Sequence, residues 1–185
     1  MSASEVVLIR HAESVWNAEG RWQGQEDPPL SARGLAQADL LAESLRDAGV
    51  LRIVTSDLRR ARATAETLAR ALGLEPIADP RLRELDVGRW GGRTREEITR
   101  VDAELLARFD GGDLEACAGG AESLARLAQR ARAALADWVA TSPQPVIAVV
   151  THLGWLRTVW PGADFAHAEW RIARSESLLR EDGSA

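Results

Sequence analysis

Residues 5–11 read Glu-Val-Val-Leu-Ile-Arg-His, and this stretch decides the fold class. Its four consecutive apolar residues, three of them β-branched, are typical of a strand buried on both faces of a parallel sheet. Two further runs, around Ile53-Val54 and over Val146 to Val150, have the same character. The sequence therefore predicts a sheet in which these three segments are parallel inner strands.

Amphipathic stretches separate the apolar runs and predict helices. Two of them stop at a glycine, Gly49 and Gly73, a residue that commonly ends helices. Thr94 and Glu97 have the spacing of a capping box at the start of a third. The predicted helices cover residues 35–48, 58–72, 94 to about 109, and 122–139. Strands alternating with helices predict an α/β fold, a three-layer sandwich whose mostly parallel central sheet is flanked by helices.

Length and composition favour one globular domain. The chain has 185 residues, within the usual size of a domain, which is about 100 to 200 residues. Hydrophobic residues make up 45% of it and charged residues 28%, which excludes a disordered protein. We expect a single domain over residues 1–185, with a helical embellishment at about 94–120 and a frayed tail at 181–185.

Charge and cysteine content exclude several classes of protein. The net charge is −5 and the pI is about 5.3, so no nucleic-acid partner is expected. Cys117 is the single cysteine, which excludes a disulfide-stabilised scaffold. No apolar run reaches about 18 residues, and only four apolar residues directly precede Arg10, too few for a signal peptide. We therefore expect a cytoplasmic protein with no membrane partner.

Several phosphate-binding and hydrolase motifs are missing from the sequence. Lysine does not occur, so the chain cannot form a P-loop, and no Gly-x-Ser-x-Gly sequence marks a serine hydrolase. The three histidines, His11, His152 and His167, lack the spacing of a zinc site. We expect chemistry that uses no metal and no cofactor.

Histidine or arginine follows each of the three predicted strands. Arg10-His11 comes after the first strand and His152 after the third. Arg60 and Arg62 come shortly after the second strand, near the start of a predicted helix. Ligands of open α/β sheets bind at the carboxyl ends of the strands, and a helix N-terminus favours anions. Either arginine of the second segment could reach this crevice, so the sequence predicts an anion site there.

A series of motifs along most of the chain carries a resemblance to a known family. In chain order they are Arg10-His11 with Asn17, residues 20–24, Pro29-Leu-Ser with Gly34, Gln37-Ala38, Ser56-Asp-Leu, Arg60-Ala and Thr64-Ala, Leu82-Arg-Glu84, Gly88-Arg-Trp90, residues 120–123, and His152 with Gly154 and Arg157. In these motifs the chain resembles the histidine phosphatase superfamily. The branch it resembles contains cofactor-dependent phosphoglycerate mutases, fructose-2,6-bisphosphatases and small bacterial phosphatases.

The resemblance implies a catalytic role for five residues. His11 matches the nucleophile that becomes phosphorylated, and Glu84 matches the proton donor. Arg10, Arg60 and His152 would surround the phosphoryl oxygens. These roles suit the chemistry, because cations must gather the negative charge of a phosphate monoester before a nucleophile can approach it. The His11 imidazole must be neutral to attack, and the two arginines should lower its pKa.

The resemblance also implies how the substrate binds. The substrate-binding residues it indicates are Asn17, Gln23, Gly24 and Leu153, with no metal. It selects Arg60 rather than Arg62, because the family's arginine begins an Arg-Ala-x-x-Thr-Ala pattern, which here starts at Arg60 and ends at Ala65. It leaves Arg62 on the surface. The expected partner is a small phosphorylated metabolite.

Three positions depart from the usual pattern of the family. Ala12 and Leu153 each replace a glycine, and Gly91 replaces an acid. Ala12 is expected to add a methyl group near the phosphate. Leu153 would be strained by about 1 to 2 kcal/mol if its backbone needs a positive φ, and we expect Leu153 and Gly91 to reshape the rim. His167 matches no motif and is expected to be structural or to face the rim.

Three functions are compatible with this sequence. A metal-independent phosphatase is favoured, because Glu84 and His152 are 68 positions apart, which leaves little chain for a lid that would keep water from the phosphohistidine. The alternatives are phosphoglycerate mutase-type phosphoryl transfer and a non-catalytic phospho-ligand-binding relative. The oligomeric state is open, with a homodimer as one alternative.

Overall fold

The computed structural model describes residues 4–180, which form a five-stranded sheet with helices on both sides. The strands are β1 Glu5–Arg10, β2 Arg52–Thr55, β3 Pro76–Ala78, β4 Val146–Thr151 and β5 Trp170–Arg174. The helices are α1 Val15–Ala18, α2 Ala32–Ser44, α3 Arg59–Leu72, α4 Arg95–Asp110, α5 Leu124–Thr141, α6 Leu153–Val159 and α7 Ser175–Leu178. Short 3₁₀ segments lie at Pro80–Leu82, Gly88–Trp90 and Ala118–Gly120.

The sheet has the strand order β3-β2-β4-β1-β5. The first four strands are parallel to one another, and β5 pairs antiparallel with β1 at the edge. The prediction of an α/β fold with a mostly parallel central sheet is therefore confirmed. Its three predicted strands are β1, β2 and β4, which are neighbours in the middle of the sheet.

Two hydrophobic layers cover the two faces of the sheet. Alternate residues of β1 belong to different layers: Val6 and Leu8 pack with residues of α5 and α6, and Val7 and Ile9 pack with residues of α2 and α3. All four side chains are fully buried. A strand that is covered on both faces has no solvent-facing positions, which explains its continuous apolar run.

The helices that the sequence predicted are present, with shifted ends. α3 ends at Gly73, which adopts the left-handed conformation expected of a terminal glycine, with φ of 68°. Ser31 caps α2 by accepting the N–H of Gly34, so this helix begins at residue 32 rather than 35. Ser123 caps α5 in the same way, so that helix begins at 124 rather than 122. Capping side chains, rather than apolar periodicity, set these starts.

The elements that the sequence analysis missed are short or lie at the edges of the sheet. β3 has three residues and includes a proline, and β5 alternates partly buried and exposed residues, so neither shows a continuous apolar run. In the region predicted as an embellishment, α4 starts with the predicted Thr94–Glu97 capping box and is kinked at Asp102. After the end of α4 at Asp110, the rest of this region is a loop that contains the 3₁₀ turn Ala118–Gly120.

The predicted frayed tail at 181–185 lies outside the described residues. Over the described range, 4–180, no helix is both long and apolar enough to cross a membrane.

Candidate active site

The carboxyl ends of β1 and β4 meet in the middle of the sheet. Arg10 pairs with Thr151 across the two strands, and the His11 N–H donates to the Thr151 carbonyl at 2.9 Å. His152 follows Thr151 directly. The rings of His11 and His152 consequently lie with their centroids 5.0 Å apart, inclined at 59°.

His11 is buried, and its own backbone fixes the orientation of its ring. Nδ1 lies 2.7 Å from the carbonyl oxygen of Ala12, which can only accept, so Nδ1 carries the proton and Nε2 keeps its lone pair. Burial and the charges of Arg60 and Arg10 hold the pKa of His11 well below its usual value. The imidazole is therefore neutral near neutral pH, and Nε2 is the atom able to attack.

Arg60 and Arg10 are anchored through their terminal nitrogens. Arg60 is 1% exposed, and its Nη1 and Nη2 donate to the carbonyls of Glu26 and Gly24, both at 2.7 Å. Arg10 donates from Nη1 to the Phe165 carbonyl at 2.6 Å. Burial lowers the pKa of Arg60 to about 10, which still leaves the guanidinium charged at neutral pH. Both arginines are thus fixed cations beside His11.

His152 is completely buried and carries two nitrogens with no partner. Burial, with smaller contributions from Arg60 and His11, holds its pKa well below the usual value. Among residues 4–180, four buried side-chain nitrogens lack a hydrogen-bond partner: Nε of Arg10, Nε of Arg60, and Nδ1 and Nε2 of His152. Unpaired buried polar groups are costly, so their concentration beside the His11 imidazole indicates a site that binds a polar ligand. The two cations make that ligand an anion.

Two backbone N–H groups hold the carboxylate of Glu84. Gly154 donates to Oε2 at 3.0 Å, and Leu85 donates to Oε1 at 2.8 Å. Position 154 needs a glycine, because a Cβ there would lie 2.3 Å from Oε1 of Glu84. The first turn of α6 thus follows His152 directly and also holds Glu84.

The substitution Gly154→Ala tests this contact. If Glu84 is the proton donor that the family resemblance implies, we expect the new methyl group to displace its carboxylate and to lower kcat on alkyl phosphates by about 10- to 100-fold, since misplacement of a catalytic group by about 1 Å has that effect. The melting temperature should change little, because the methyl group meets the free end of a side chain. Steady-state kinetics and thermal melts would check both results. An unchanged kcat would mean that the position of Glu84 does not matter.

One cavity, with a volume of about 830 Å³, joins these groups. Eight of the nine predicted site residues line it: Arg10, His11, Asn17, Gln23, Gly24, Arg60, Glu84 and Leu153. The ninth, His152, lies behind the lining against the His11 ring. The structure therefore brings all nine residues to one place, and it puts Arg62 on the surface in an ion pair with Glu66.

Asn17 and Gln23 are oriented by Ser14. Oδ1 of Asn17 accepts both the N–H of Ser14, at 3.1 Å, and its hydroxyl, at 2.9 Å. Oε1 of Gln23 accepts the same hydroxyl at 2.6 Å. Because the oxygens are occupied, the two amide nitrogens have no partner among the described residues and are available as donors to an anion.

One expectation for the departures from the family pattern was wrong, namely the backbone strain at Leu153. Leu153 is the first residue of α6, and the one non-glycine residue with positive φ in residues 4–180 is Ala168, so Leu153 carries no such strain. The methyl group of Ala12 is fully buried and packs with Leu30 and Ala38, in a small cluster of apolar side chains. Gly91 is absent from the lining of the cavity.

Sequence reasoning missed Arg130 and assigned no role to Glu122. Arg130 donates to the backbone carbonyls of Arg83 and Glu84, the latter at 2.7 Å, and pairs with the Glu122 carboxylate at 2.7 Å. This pair anchors the segment that carries Glu84. The motif over residues 120–123 contained Glu122, but no sequence signal connects it to a helix residue eight positions later. His167 was expected to be structural or to face the rim. It contacts Arg10 directly, with its Nε2 at 2.9 Å from Nη2 of Arg10.

The depressed pKa values of the histidines predict how stability depends on pH. In the unfolded chain, the histidines bind protons below about pH 6.5. In the folded protein, the buried His11 and His152 stay neutral to lower pH. The free energy of unfolding therefore falls as the pH drops below about 6.5. The loss is about 1.4 kcal/mol per pH unit for each such histidine. Denaturant titrations at several pH values between 5 and 7 give the free energy of unfolding at each pH. For His152→Gln, we expect a plot of this free energy against pH to be shallower by about 1.4 kcal/mol per pH unit. Parallel slopes would contradict the buried neutral state of His152.

No group of three or more histidine, cysteine or carboxylate side chains is placed to hold a metal ion within residues 4–180. The polar groups in the cavity wall are mainly hydrogen-bond donors: Arg10, Arg60 and the amides of Asn17 and Gln23. Glu84 is the carboxylate that accompanies them at this end of the cavity. The arrangement can bind an anion, offer it a neutral imidazole, and exchange a proton at one carboxylate.

Comparison with known proteins gives consistent matches in sequence. A family model described as the histidine phosphatase superfamily (branch 1) matches residues 6–172. A protein of Yersinia enterocolitica named probable phosphoglycerate mutase GpmB is 39% identical over 182 residues, which cover 96% of this chain and 84% of that protein.

Solved structures show the same fold. A mycobacterial glucosyl-3-phosphoglycerate phosphatase complexed with VO3 is 32% identical and has a TM-score of 0.82, with 92% of each chain covered. YhfR of Bacillus stearothermophilus is 28% identical with a TM-score of 0.85, covering 92% of this chain and 90% of that one. The alpha-ribazole phosphatase of Shigella flexneri is 26% identical with a TM-score of 0.80, covering 91% and 89%.

Proposed function

Because this chain belongs to the histidine phosphatase superfamily, we propose that it hydrolyses a small phosphomonoester through a phosphohistidine on His11. The reaction needs no metal in this proposal. Glu84 gives a proton in the first step and takes one in the second.

In the first step, the lone pair on Nε2 of His11 attacks phosphorus, and the bond from phosphorus to the ester oxygen breaks. Protonated Glu84 gives its proton to the departing alkoxide, which leaves as an alcohol. Arg10 and Arg60 gather the negative charge of the phosphoryl oxygens and do not themselves deprotonate. The transferred group ends on His11 as phosphohistidine.

In the second step, water attacks the same phosphorus, and the bond to Nε2 breaks. The Glu84 carboxylate takes a proton from that water, which restores the acid, and His11 regains its lone pair. Inorganic phosphate leaves. His152, as a hydrogen-bond donor to the equatorial oxygens, would stabilise both transition states, and electrostatic stabilisation of this kind is usually the main contribution to phosphoryl transfer.

One observation carries this proposal. The buried side-chain nitrogens without partners, among residues 4–180, all belong to Arg10, Arg60 and His152, and these three residues lie close to His11, whose Nε2 keeps its lone pair. An oxyanion of phosphate has several acceptor oxygens and would satisfy these donors together.

Phosphoryl transfer of the mutase type is the second candidate. It is favoured by the identity to relatives named probable phosphoglycerate mutase. Hydrolysis is favoured by structural neighbours that are named as phosphatases, and by the short chain between Glu84 and His152, which spans 68 positions. Water that reaches phosphohistidine ends the reaction as hydrolysis.

An assay with p-nitrophenyl phosphate separates these functions. We expect the protein to release nitrophenolate in the presence of EDTA and without added 2,3-bisphosphoglycerate. Activity that required this bisphosphate and moved a phosphoryl group between carbons would establish the mutase instead. Binding of phosphate by calorimetry with no turnover of any phosphomonoester would leave a phospho-ligand-binding protein, and the proposal would be wrong.

A further inference from the structure

The cavity extends beyond the phosphate-binding end, and most of that extension is apolar. The side chains that form this apolar wall are Trp22, Phe109, Leu114, Leu124, Leu127 and Leu153. They come from the loop after α1, from the end of α4 and the segment after it, and from α5 and α6. If the site is a phosphatase, as proposed above, this wall faces the alcohol part of the substrate.

The apolar wall is already formed without a ligand. Trp22 packs edge-to-face against Phe109 and Trp90, with ring centroids 5.7 and 5.4 Å apart, and Trp90 is fully buried. Leu127 is also fully buried. Leu114 is different, because it is 60% exposed while lining the same cavity. A rigid wall with an exposed leucine at its edge is suited to covering an apolar ligand.

Apart from Arg10 and Arg60 at the phosphate-binding end, Arg132 is the one arginine of the cavity lining with no carboxylate partner among the described residues. Arg132 is exposed and makes no ion pair or side-chain hydrogen bond with the described residues, whereas Arg157 pairs with Asp164 and Arg21 pairs with Glu97. Arg132 lies two turns from Leu124 on the same face of α5, about 12 Å along the helix. The face of α5 that contributes Leu124 to the apolar wall therefore also carries the available positive charge of Arg132.

We propose that the preferred leaving group is an extended apolar alcohol that carries an anionic group, a carboxylate, bound by Arg132. A sugar alcohol would leave its hydroxyl groups unpaired against Trp22, Phe109 and the leucines, which is unfavourable. Glycerate would fill little of a cavity of about 830 Å³. An apolar chain with a terminal carboxylate satisfies both the wall and the cation.

A series of alkyl phosphates tests the apolar part. All of them release primary alkoxides of similar basicity, so differences in kcat/KM report binding of the chain rather than leaving-group reactivity. We expect kcat/KM to rise by about fourfold for each methylene that the wall covers, over chains of about two to eight carbons. Glycerol 3-phosphate should be a poorer substrate than the propyl ester. A flat series, or a preference for glycerol 3-phosphate, would overturn the proposal.

Two pairs of variants locate these effects. Leu114→Ser should flatten the chain-length series, and Leu51→Ser, a loop leucine that is 51% exposed and distant from the cavity lining, should not. Arg132→Gln should lower kcat/KM by about two- to fivefold for esters with a terminal carboxylate and leave plain alkyl esters unchanged. Arg126→Gln, on the same helix outside the lining, is its control.

These outcomes can be told apart from failure of the proposed function. If p-nitrophenyl phosphate is hydrolysed through His11 but the alkyl series is flat, then only the leaving-group proposal is wrong. If no phosphomonoester is hydrolysed, then the proposed function itself is wrong. Equal losses in Arg132→Gln for carboxylated and plain esters would show that Arg132 does not bind the carboxylate.

A separate observation concerns His167, which touches Arg10. Nη2 of Arg10 lies 2.9 Å from Nε2 of His167, and since arginine can only donate, Nε2 is the acceptor. The Phe165 carbonyl accepts from Nη1 of the same guanidinium at 2.6 Å. The segment over residues 165–167 therefore holds both terminal nitrogens of Arg10. The His167 ring centroid lies 6.0 Å from that of His11.

The residue that follows His167 has an unfavourable backbone conformation. Ala168 has φ of 59°, and no other non-glycine residue within 4–180 has a positive φ. Backbone strain of this kind persists only where the surroundings impose it, and it is commonest at functional sites. Burial and Arg10 lower the pKa of His167 to about 4, so its ring is a neutral acceptor at neutral pH.

We infer that His167 is a positioning residue, which acts by holding Arg10 in the orientation that binds phosphate. His167→Leu removes the acceptor, and His167→Gln supplies a carbonyl oxygen in its place. We expect the leucine variant to raise KM and the inhibition constant of inorganic phosphate by about tenfold, with a smaller change in kcat. The glutamine variant should return KM and the inhibition constant of phosphate most of the way to their original values. This inference depends on Arg10 binding the phosphoryl group.

A merely structural role would give a different result. The leucine and glutamine variants would then lose thermal stability to a similar extent, with no change in the inhibition constant of phosphate. Equal KM values for the two variants and the original protein would also overturn the inference. Because binding of inorganic phosphate can be measured by calorimetry, the test does not depend on turnover.

Discussion

Replacing His11 with alanine is expected to lower kcat by at least about 10⁴-fold, because no other group at the site can form the covalent bond to phosphorus. The His152 ring is fully buried against that of His11 as a hydrogen-bond donor to the phosphoryl oxygens in this proposal, and Glu84 is held by two backbone N–H groups. Neither is placed to substitute for Nε2. Steady-state release of nitrophenolate from p-nitrophenyl phosphate measures the loss.

The same variant should still bind phosphate. Arg10, Arg60 and His152 remain, so calorimetry with inorganic phosphate should give a dissociation constant within about tenfold of the original value. Thermal melting checks that the variant folds, since His11→Ala also removes the bond from Nδ1 to Ala12. A folded His11→Ala variant that keeps more than about a hundredth of the original kcat would contradict the nucleophilic role of His11.

Glu84→Gln is expected to act differently on different substrates. Glutamine has nearly the same shape but cannot give up a proton, so kcat/KM on alkyl phosphates should fall by about 10²- to 10⁴-fold. Nitrophenolate is stable as an anion and needs no proton when it leaves, so formation of phosphohistidine from p-nitrophenyl phosphate should be affected much less. The second step still requires a base to activate water and should become rate-limiting.

Stopped-flow kinetics would show this change of rate-limiting step. Glu84→Gln should release about one equivalent of nitrophenolate per site in a rapid burst, followed by slow turnover. Glu13→Gln is a suitable control, because Glu13 is a carboxylate on the segment that carries His11 but is absent from the cavity lining. Equal losses on alkyl and p-nitrophenyl esters, with no burst, would contradict the assignment of Glu84 as the acid and base.

The middle of the sheet could be predicted from the sequence because its strands are buried on both faces. In β1 and β4 this burial leaves continuous apolar runs, such as Val146 to Val150, which no other element of the chain imitates. β5 could not be predicted in the same way. It pairs with β1 at the edge of the sheet, so exposed residues such as Ile172 and Arg174 interrupt its pattern.

The residues of the site could be predicted because they follow strand ends or belong to family motifs. Their support could not, since it depends on contacts between segments that are distant in the sequence. Arg130 reaches the carbonyl of Glu84 from α5, and His167 reaches Arg10 from the loop before β5. Nothing in the local sequence around either residue indicates these contacts.

Leu153 shows how a pattern can suggest the wrong physical consequence. A glycine at that position in relatives suggested a positive φ, and hence strain for leucine. In this chain residue 153 begins α6, where a leucine is unstrained, and the glycine that the site does require is Gly154, which lets the backbone approach Glu84. The side chain of Leu153 is instead part of the apolar wall.

Identification of the phosphorylated atom tests the central claim most directly. The enzyme is mixed with substrate, quenched in alkali within milliseconds and digested, and the peptide with residue 11 is examined by tandem mass spectrometry and ³¹P NMR. Since Nδ1 of His11 is bonded to the Ala12 carbonyl, the phosphoryl group should be found on Nε2 of His11. A phosphoryl group on Nδ1, on His152 or on any other side chain, or turnover without a covalent adduct, would contradict the account.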